Sequence, residues 1–241
     1  MAVELKHHHD QNPLLPQPAK IVKIIDETPD VKNFHVTTET GKPFNVMPGQ
    51  LAMVSLPAVG EGMFSCTWQG ENHLEFAIRR VGLLTDALHE LNVGQNIGIR
   101  GPYGNGFPTE ACKGKDMLFI GGGIGLAPVR SFINYCFKHR EDYGKITILY
   151  GARSKADLCF KEELFDTWPK QPNTEVYVTI DREEPGWSGK VGFVPNYLRE
   201  VNPAPDNMIA VTCGPPIMIK LVLKALEEMG YRDDQVITTL E

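Results

Sequence analysis

At 241 residues, with 42% hydrophobic and 22% charged side chains, the chain has enough apolar content for one large or two modest packed domains, and its composition excludes intrinsic disorder. A formal net charge of −6 excludes a general binder of nucleic-acid phosphates, which depends on clustered Lys and Arg. No run reaches the roughly 20 apolar residues of a membrane-spanning helix.

In chain order, the N-terminus carries His7-His8-His9 and a Pro-rich stretch from Asn12 to Pro18, without the apolar core or cleavage site of a signal peptide. Residues 1–15 are read as a flexible tail. From Lys20 to Ile25, Val31 to Thr37, Leu51 to Leu56, His73 to Arg79 and Ile97 to Arg100 run short segments of strand character, separated by turn signals such as Thr28-Pro29-Asp30 and Met47-Pro48-Gly49. Short strands at this spacing predict a small antiparallel barrel, with one helical segment, Thr85 to Leu91. The rhythm changes after Phe107. Met117 to Ile120, Ile146 to Tyr150, Val176 to Ile180 and Met208 to Thr212 are near-continuous apolar runs, as in parallel strands covered on both faces. They alternate with helical segments at Leu126 to Lys138, Lys161 to Trp168, Val194 to Glu200 and Pro216 to Met229, the pattern of a doubly wound α/β domain. The boundary is placed between Gly101 and Lys115, giving units of 16–107 and 108–241.

The five cysteines, Cys66, Cys112, Cys136, Cys159 and Cys213, are odd in number, widely spaced and without a Cys-x-x-Cys pair. They read as reduced thiols in a cytoplasmic protein, and no metal site is expected.

The clearest chemical signal is Gly121-Gly122-Gly123-Ile124-Gly125-Leu126-Ala127-Pro128, where a buried strand runs through glycines into a helix. Without Cβ atoms such a turn can approach a diphosphate, and the helix start offers unpaired N–H groups. The spacing is not Gly-x-Gly-x-x-Gly, and a tight structural turn is the other reading. Cys213-Gly214-Pro215-Pro216 ends the fourth strand of the same sheet, where ligands of open α/β sheets bind. In the first half, Phe64 beside Ser65 suits a flat heterocycle with polar edges. Arg79 and Arg80, ahead of Gly82 and Thr85, offer charge and close backbone approach to phosphate; from the residues alone an ordinary hairpin with two solvated arginines is the favoured reading.

Taken in order, Phe64-Ser65, Ile78 to Thr85, Gly101 to Phe107, Gly121 to Pro128 and Cys213 to Met218 resemble the ferredoxin–NADP reductase superfamily, over nearly the whole chain after the tail. The resemblance is strongest to the electron-transfer subunits of hydrogenases and sulfhydrogenases (gamma), anaerobic sulfite reductase (B) and dihydroorotate dehydrogenase. It implies an N-terminal antiparallel six-stranded β-barrel for FAD and a C-terminal doubly wound parallel sheet for a nicotinamide dinucleotide. Carried over by position, it implies that Phe64 and Ser65 lie on the flavin, with Ser65 near its reactive nitrogen. Ile78, Arg79, Arg80, Gly82, Leu84 and Thr85 then line the ribityl and pyrophosphate site. Gly122, Gly123, Gly125, Ala127 and Pro128 approach the dinucleotide, and Cys213, Gly214 and Pro215 flank the nicotinamide. Many members carry Arg two residues before the flavin aromatic, where this chain has Gly62, shifting the expected phosphate contact to Arg79 or Arg80.

The resemblance thus implies a diaphorase-type subunit that moves a hydride between NAD(P)H and FAD, with Ser65 and Cys213 at the reacting rings and no side-chain acid or base. Hydrogenase-type relatives continue past a segment like Gln235 to Glu241 into a cysteine-rich [2Fe–2S] region. This sequence carries no such ligands, so electrons are expected to pass to iron–sulfur and catalytic subunits of a larger complex. A stand-alone flavin or ferredoxin reductase and a regulatory subunit that binds without turnover are the alternatives. Arg153 and Ser154 can hold a 2′-phosphate and Asp157 a ribose diol, a balance that tips toward NADP(H).

Overall fold

The computed structural model describes residues 14–41 and 44–239; the expected tail before Leu14, with its histidine run, lies outside the described residues. The first half forms strands β1 (Gln17–Thr28), β2 (Val31–Thr38), β3 (Leu51–Leu56), β4 (Gly60–Ser65), β5 (Trp68–Gln69), β6 (Leu74–Arg79) and β7 (Asn96–Tyr103), with helix α1 (Leu83–His89) between the last two strands. They make one antiparallel sheet in the order β4-β3-β7-β1-β2-β6-β5. Six strands are the expected barrel, and the seventh is the two-residue β5. Register shifts within the β1–β2 and β3–β7 pairs bend the sheet, as bulges do, and bring β4 beside β6. Alternating side chains, among them Ile21, Phe34, Val36, Leu74, Phe76, Ile78 and Ile99, fill the interior.

Two local differences from the sequence expectation have simple causes. Helix α1 begins two residues early because the Thr85 hydroxyl accepts the N–H groups of Val81 and Gly82 at 2.8 and 2.9 Å and donates to the Gly82 carbonyl, fixing the first turn. The expected turn from Gly101 starts later, since Leu51 pairs with Tyr103 and carries β7 onward.

The second half forms β8 (Asp116–Gly122), α2 (Leu126–Lys138), β9 (Ile146–Ala152), a π-helical stretch at Glu163–Thr167, β10 (Thr174–Ile180), β11 (Lys190–Val191), α3 (Val194–Val201), β12 (Met208–Cys213), α4 (Pro216–Glu228) and β13 (Val236–Thr238). Its parallel sheet has the order β11-β10-β9-β8-β12-β13. Strand β8 shows why this half is doubly wound: Met117 and Phe119 pack with α2, while Leu118 and Ile120 pack with α3 and α4.

The halves meet across a seam that is partly apolar and partly ionic. Val31 and Ala77 of the barrel join the α/β core, and Phe107 stacks on Phe132 of α2 with ring centroids 5.3 Å apart. Arg130, 7% exposed, extends from α2 to Glu75 of β6 at 2.8 Å, to Thr67 at 3.2 Å and to Glu163 at 2.7 Å, and lies over the Phe160 ring. Burial alone would push the Glu75 carboxyl up, but Arg130, His35 and the Asn33 amide hold it below its ordinary value. Gly49 N–H donates to Ser131, and Phe160 N–H donates to the Glu27 carboxylate.

Removing Arg130 leaves buried carboxylates uncompensated, so Arg130→Ala is expected to cost about 3–5 kcal/mol in denaturant unfolding near neutral pH. Because Glu75 is held below 4.5 in the fold, its contribution is complete above that value and is lost as pH falls through the lower folded pKa. The gap between Arg130→Ala and the parent protein should therefore narrow in acid. An equal gap at both pH values would show that the clamp is not ionic in origin.

Candidate functional site

Chain order in the parallel sheet runs outward from β8 through β9 and β10 to β11, then returns to the other side of β8 with β12 and β13. The connections after β8 and β12 thus diverge, opening a crevice at the carboxyl ends of these neighbouring strands. A cleft of about 700 Å³ lies there, lined by residues 122–125 after β8, 151–153 after β9, Asp181 after β10 and 213–218 after β12. The size suits a nucleotide, since ligand pockets run from about 300 to 1,000 Å³.

Glycine is required at the centre of this wall. A Cβ on Gly125 would stand 2.6 Å from both N and Cα of Gly214, and one on Gly214 would stand 3.2 Å from N and Cα of Gly122. The two strand-end turns therefore touch backbone to backbone, and a side chain at Gly125 would wedge them apart. Gly123 takes φ +56° in the left-handed region, with Arg79 Nη2 beside it. Ala127 and Pro128 are buried in the first turn of α2 and support the turn from below. Cys213, 0% exposed, closes the inner wall, with Gly214 and Pro215 at its rim.

On the barrel side, Arg79 at the end of β6 lies 3.3 Å from Asp30 and reaches into the cleft. Arg80 points elsewhere, pairing with Asp86 at 2.9 Å and Glu90 at 3.3 Å. Of the two, only Arg79 faces the dinucleotide wall. Ile78 is in the barrel core and Thr85 is consumed by capping, so both shape the loop around Gly82. Phe64 and Leu84 pack over Gly62, where a Cβ would fall 3.1 Å from the ring and 3.0 Å from the leucine methyl. Gly62 thus has no room for a longer side chain while these two residues keep their places. Ser65, 9% exposed, ends β4 opposite Leu51.

Around the β9 end, Arg153 and the Ser154 hydroxyl both donate to the Asp157 carboxylate, at 3.0 and 2.8 Å. Lys155 is tied to the loop at Glu184 and Gly186. Asp181, absent from the residues singled out by sequence, also faces the cleft; burial pushes its carboxyl above the ordinary value, opposed by Arg182 and Arg153. Phe193, 59% exposed ahead of α3, was likewise missed. Both follow strand ends of the parallel sheet, and that position is the signal that finds them. The other four cysteines are buried thiols remote from this wall; burial raises Cys66 and Cys159 to about 12 and Cys112 to about 11.

Comparison with known proteins agrees with this layout. Residues 18–107 match the oxidoreductase FAD-binding domain family and residues 119–224 the oxidoreductase NAD-binding domain family. The chain is 34% identical to the sulfhydrogenase 1 gamma subunit of Pyrococcus furiosus over 239 residues, covering 96% of this chain and 82% of that one. It is 35% identical over 209 residues to a probable dihydroorotate dehydrogenase B (NAD(+)) electron transfer subunit of Methanocaldococcus jannaschii, covering 87% and 72% of the two chains. A ferredoxin NADP+ reductase from Neisseria gonorrhoeae solved with FAD and NADP shares the fold, with TM-score 0.76 at 19% identity over 93% of this chain and 98% of that one. With its antiparallel barrel, its parallel sheet and a glycine-walled cleft at the switch point, the chain shares the fold of that reductase and belongs to the family of FAD- and NAD-binding oxidoreductase subunits that includes the sulfhydrogenase gamma subunits.

Proposed function

We propose that the chain is the diaphorase-type subunit of a larger cytoplasmic redox assembly, taking a hydride from NADH onto FAD and passing electrons to an iron–sulfur partner subunit. The observation that carries this reading is the shared wall at the cleft, where Arg79 of the barrel meets the Gly123 turn of the parallel sheet. The partner is inferred from the names of the relatives, a sulfhydrogenase gamma subunit and a dihydroorotate dehydrogenase electron transfer subunit. Among the described residues no helix is long and apolar enough to cross a membrane. We divide the chain at 16–107 for FAD and 108–241 for the nicotinamide nucleotide.

FAD supplies the conversion between a two-electron hydride carrier and one-electron carriers. The residues of this chain position and exclude. The backbone of Gly122, Gly123 and Gly125 would let a diphosphate come close, and Arg79, which lines the cleft while pairing with Asp30, adds a charge there that Arg80, turned to Asp86 and Glu90, does not. Phe64 and Ser65 take the flavin ring, the serine at its polar edge. Cys213, buried under Gly214 and Pro215, forms a flat, water-free floor for the nicotinamide. None of these residues is needed as a proton donor, because hydride transfer depends on alignment.

The cleft electrostatics favour NAD(H) over the NADP(H) preference suggested by the sequence. Asp157 and Asp181 both line the wall, and Arg153, the guanidinium that lines the cleft beside them, is paired with Asp157. A 2′-phosphate would meet two carboxylates and one neutralised cation.

Anaerobic addition of NADH to the FAD-loaded protein should bleach the flavin; a flavin that stays oxidised with both NADH and NADPH would reject the reading. Cys213→Ala should slow flavin reduction in single-turnover measurements while FAD stays bound, and unchanged rates would remove Cys213 from the nicotinamide site. Asp181→Asn should raise the NADPH-to-NADH ratio of kcat/KM by about tenfold, or about 1.4 kcal/mol. A constant ratio would mean that Asp181 does not face the ribose.

A further inference from the structure

The outer face of the barrel carries a polar group of residues that the redox reading does not use. Interior and exterior alternate along β2 and β6: Phe34, Val36, Leu74 and Phe76 fill the core, which turns Asn33, His35, His73 and Glu75 outward. His35 and Glu75 are direct partners across the β2–β6 pair, and His73 sits two residues before Glu75 on the same face. The two imidazoles stack with centroids 5.0 Å apart and planes 21° from parallel. This is the one cluster of three or more potential metal-ligating side chains among the described residues, its ligand atoms all within 4.8 Å of one another.

The geometry points to a binding site for a zinc-class divalent transition ion formed by His35, His73 and Glu75. Two imidazole nitrogens and one carboxylate oxygen are a zinc ligand set with an open fourth position. Ligand atoms bound at about 2.0–2.2 Å around a tetrahedral ion stand about 3.3–3.6 Å apart. Here the Glu75 carboxylate faces both rings through different oxygens, Oε1 3.3 Å from His73 Nε2 and Oε2 3.7 Å from His35 Nε2, with the ligand atoms all within 4.8 Å, so an ion would draw the set inward.

Three further observations support a ligand here. His35 is only 9% exposed, and its Nε2 is buried with no hydrogen-bond partner, a state that buried polar atoms rarely keep. The His73 ring is packed across Gly70, where a Cβ would overlap it, and the Gly70 N–H donates to the His73 carbonyl at 3.0 Å, so the turn before β6 presents this imidazole at a fixed angle. Its side chain is about a third exposed, leaving an entry path. The nearby cation does not exclude a metal: Arg130 and Asn33 bind Glu75 through Oε2 and leave Oε1 facing His73, and Arg130 is shared with Glu163. An ion held here would pin β2 to β6 directly behind the carboxylate on which Arg130 rests, stiffening the seam between the halves.

The test is calorimetric titration of Zn²⁺ into the FAD-loaded full-length protein, in a background with His7, His8 and His9 each replaced by Ala so that the terminal histidine run does not compete. Cobalt(II) difference spectra at wavelengths beyond the flavin absorption report the coordination. One ion per chain is expected, with tetrahedral cobalt bands and a thermal midpoint that climbs with zinc concentration. His73→Gln, at a position about a third exposed that leaves the core intact, should weaken binding by about tenfold to a hundredfold or more, as loss of a direct ligand costs at least as much as loss of a supporting one; His35→Gln should do the same. Absence of stoichiometric zinc binding, or affinity in His73→Gln and His35→Gln equal to that of the parent protein, overturns the site. Neither measurement uses a nicotinamide nucleotide, so the result is independent of the redox reading.

Discussion

The buried guanidinium of Arg130 is the constraint on which the arrangement of the two halves depends. It emerges from the helix that follows the glycine turn and ends on a carboxylate in the barrel, so the helix carrying the dinucleotide wall is fastened to the strand that ends in Arg79. A charge taken out of water must be compensated where it lies. Glu75 and Glu163 do this from opposite sides, and each is usable only if the barrel, α2 and the π-helical stretch hold one mutual position. Apolar contacts such as Phe107 on Phe132 add area to the seam but tolerate sliding; the ion pairs and the Glu27 carboxylate on Phe160 N–H set its register.

That register is what the chemistry needs. Each half by itself presents an incomplete site: the barrel has an aromatic ring, a hydroxyl and, paired with Asp30, an arginine that lines the cleft, and the parallel sheet has a backbone crevice with few charges. The crevice is narrow because glycine backbones touch, Gly125 on Gly214 and Gly214 on Gly122. With side chains absent from this wall, the cation must come from elsewhere, and Arg79 supplies it across the seam. The absence of a side chain at Gly62 follows the same steric logic, since Phe64 and Leu84 occupy the space a side chain there would need.

Much of this was legible in the sequence because it rests on short-range rules. The four long parallel strands carry near-continuous apolar runs, and helix α2 falls where glycines end and an apolar periodicity begins, so both were readable. Strand β4 was not readable from pattern, since Gly60 and Gly62 break its alternation and cross-strand pairing with β3 alone makes it extended. Strands β11 and β13 span two and three residues, below any periodic signal. At the cleft, the glycine turns announced themselves by residue type and Cys213 to Pro215 by their place at a strand end and the family resemblance, whereas Asp181 and Phe193 line it only because of where their strands end. Arg130 left one trace, a charge in an otherwise apolar helix stretch, Leu126 to Ile133, and its partners lie far away in the chain.

The sequence reading expected no metal ligands, and the reason it found none explains what pattern rules can reach. A metal motif is recognisable when its ligands fall on one turn of helix or one loop, because spacing then encodes geometry. His35 and Glu75 become neighbours only through the β2–β6 register, and a shift of one residue would turn them into the barrel core and bring Phe34 and Phe76 out. The hydrophobic pattern that fixes the fold therefore also fixes which polar residues gather on its outer face. Seen this way, the buried Arg130 clamp and the two histidines beside it are one construction. The face of the barrel that packs on the parallel sheet is polar, and buried polar atoms on it call for partners: Glu75 has Arg130 and Asn33, while His35 Nε2, 3.7 Å from Glu75 Oε2, makes no hydrogen bond among the described residues.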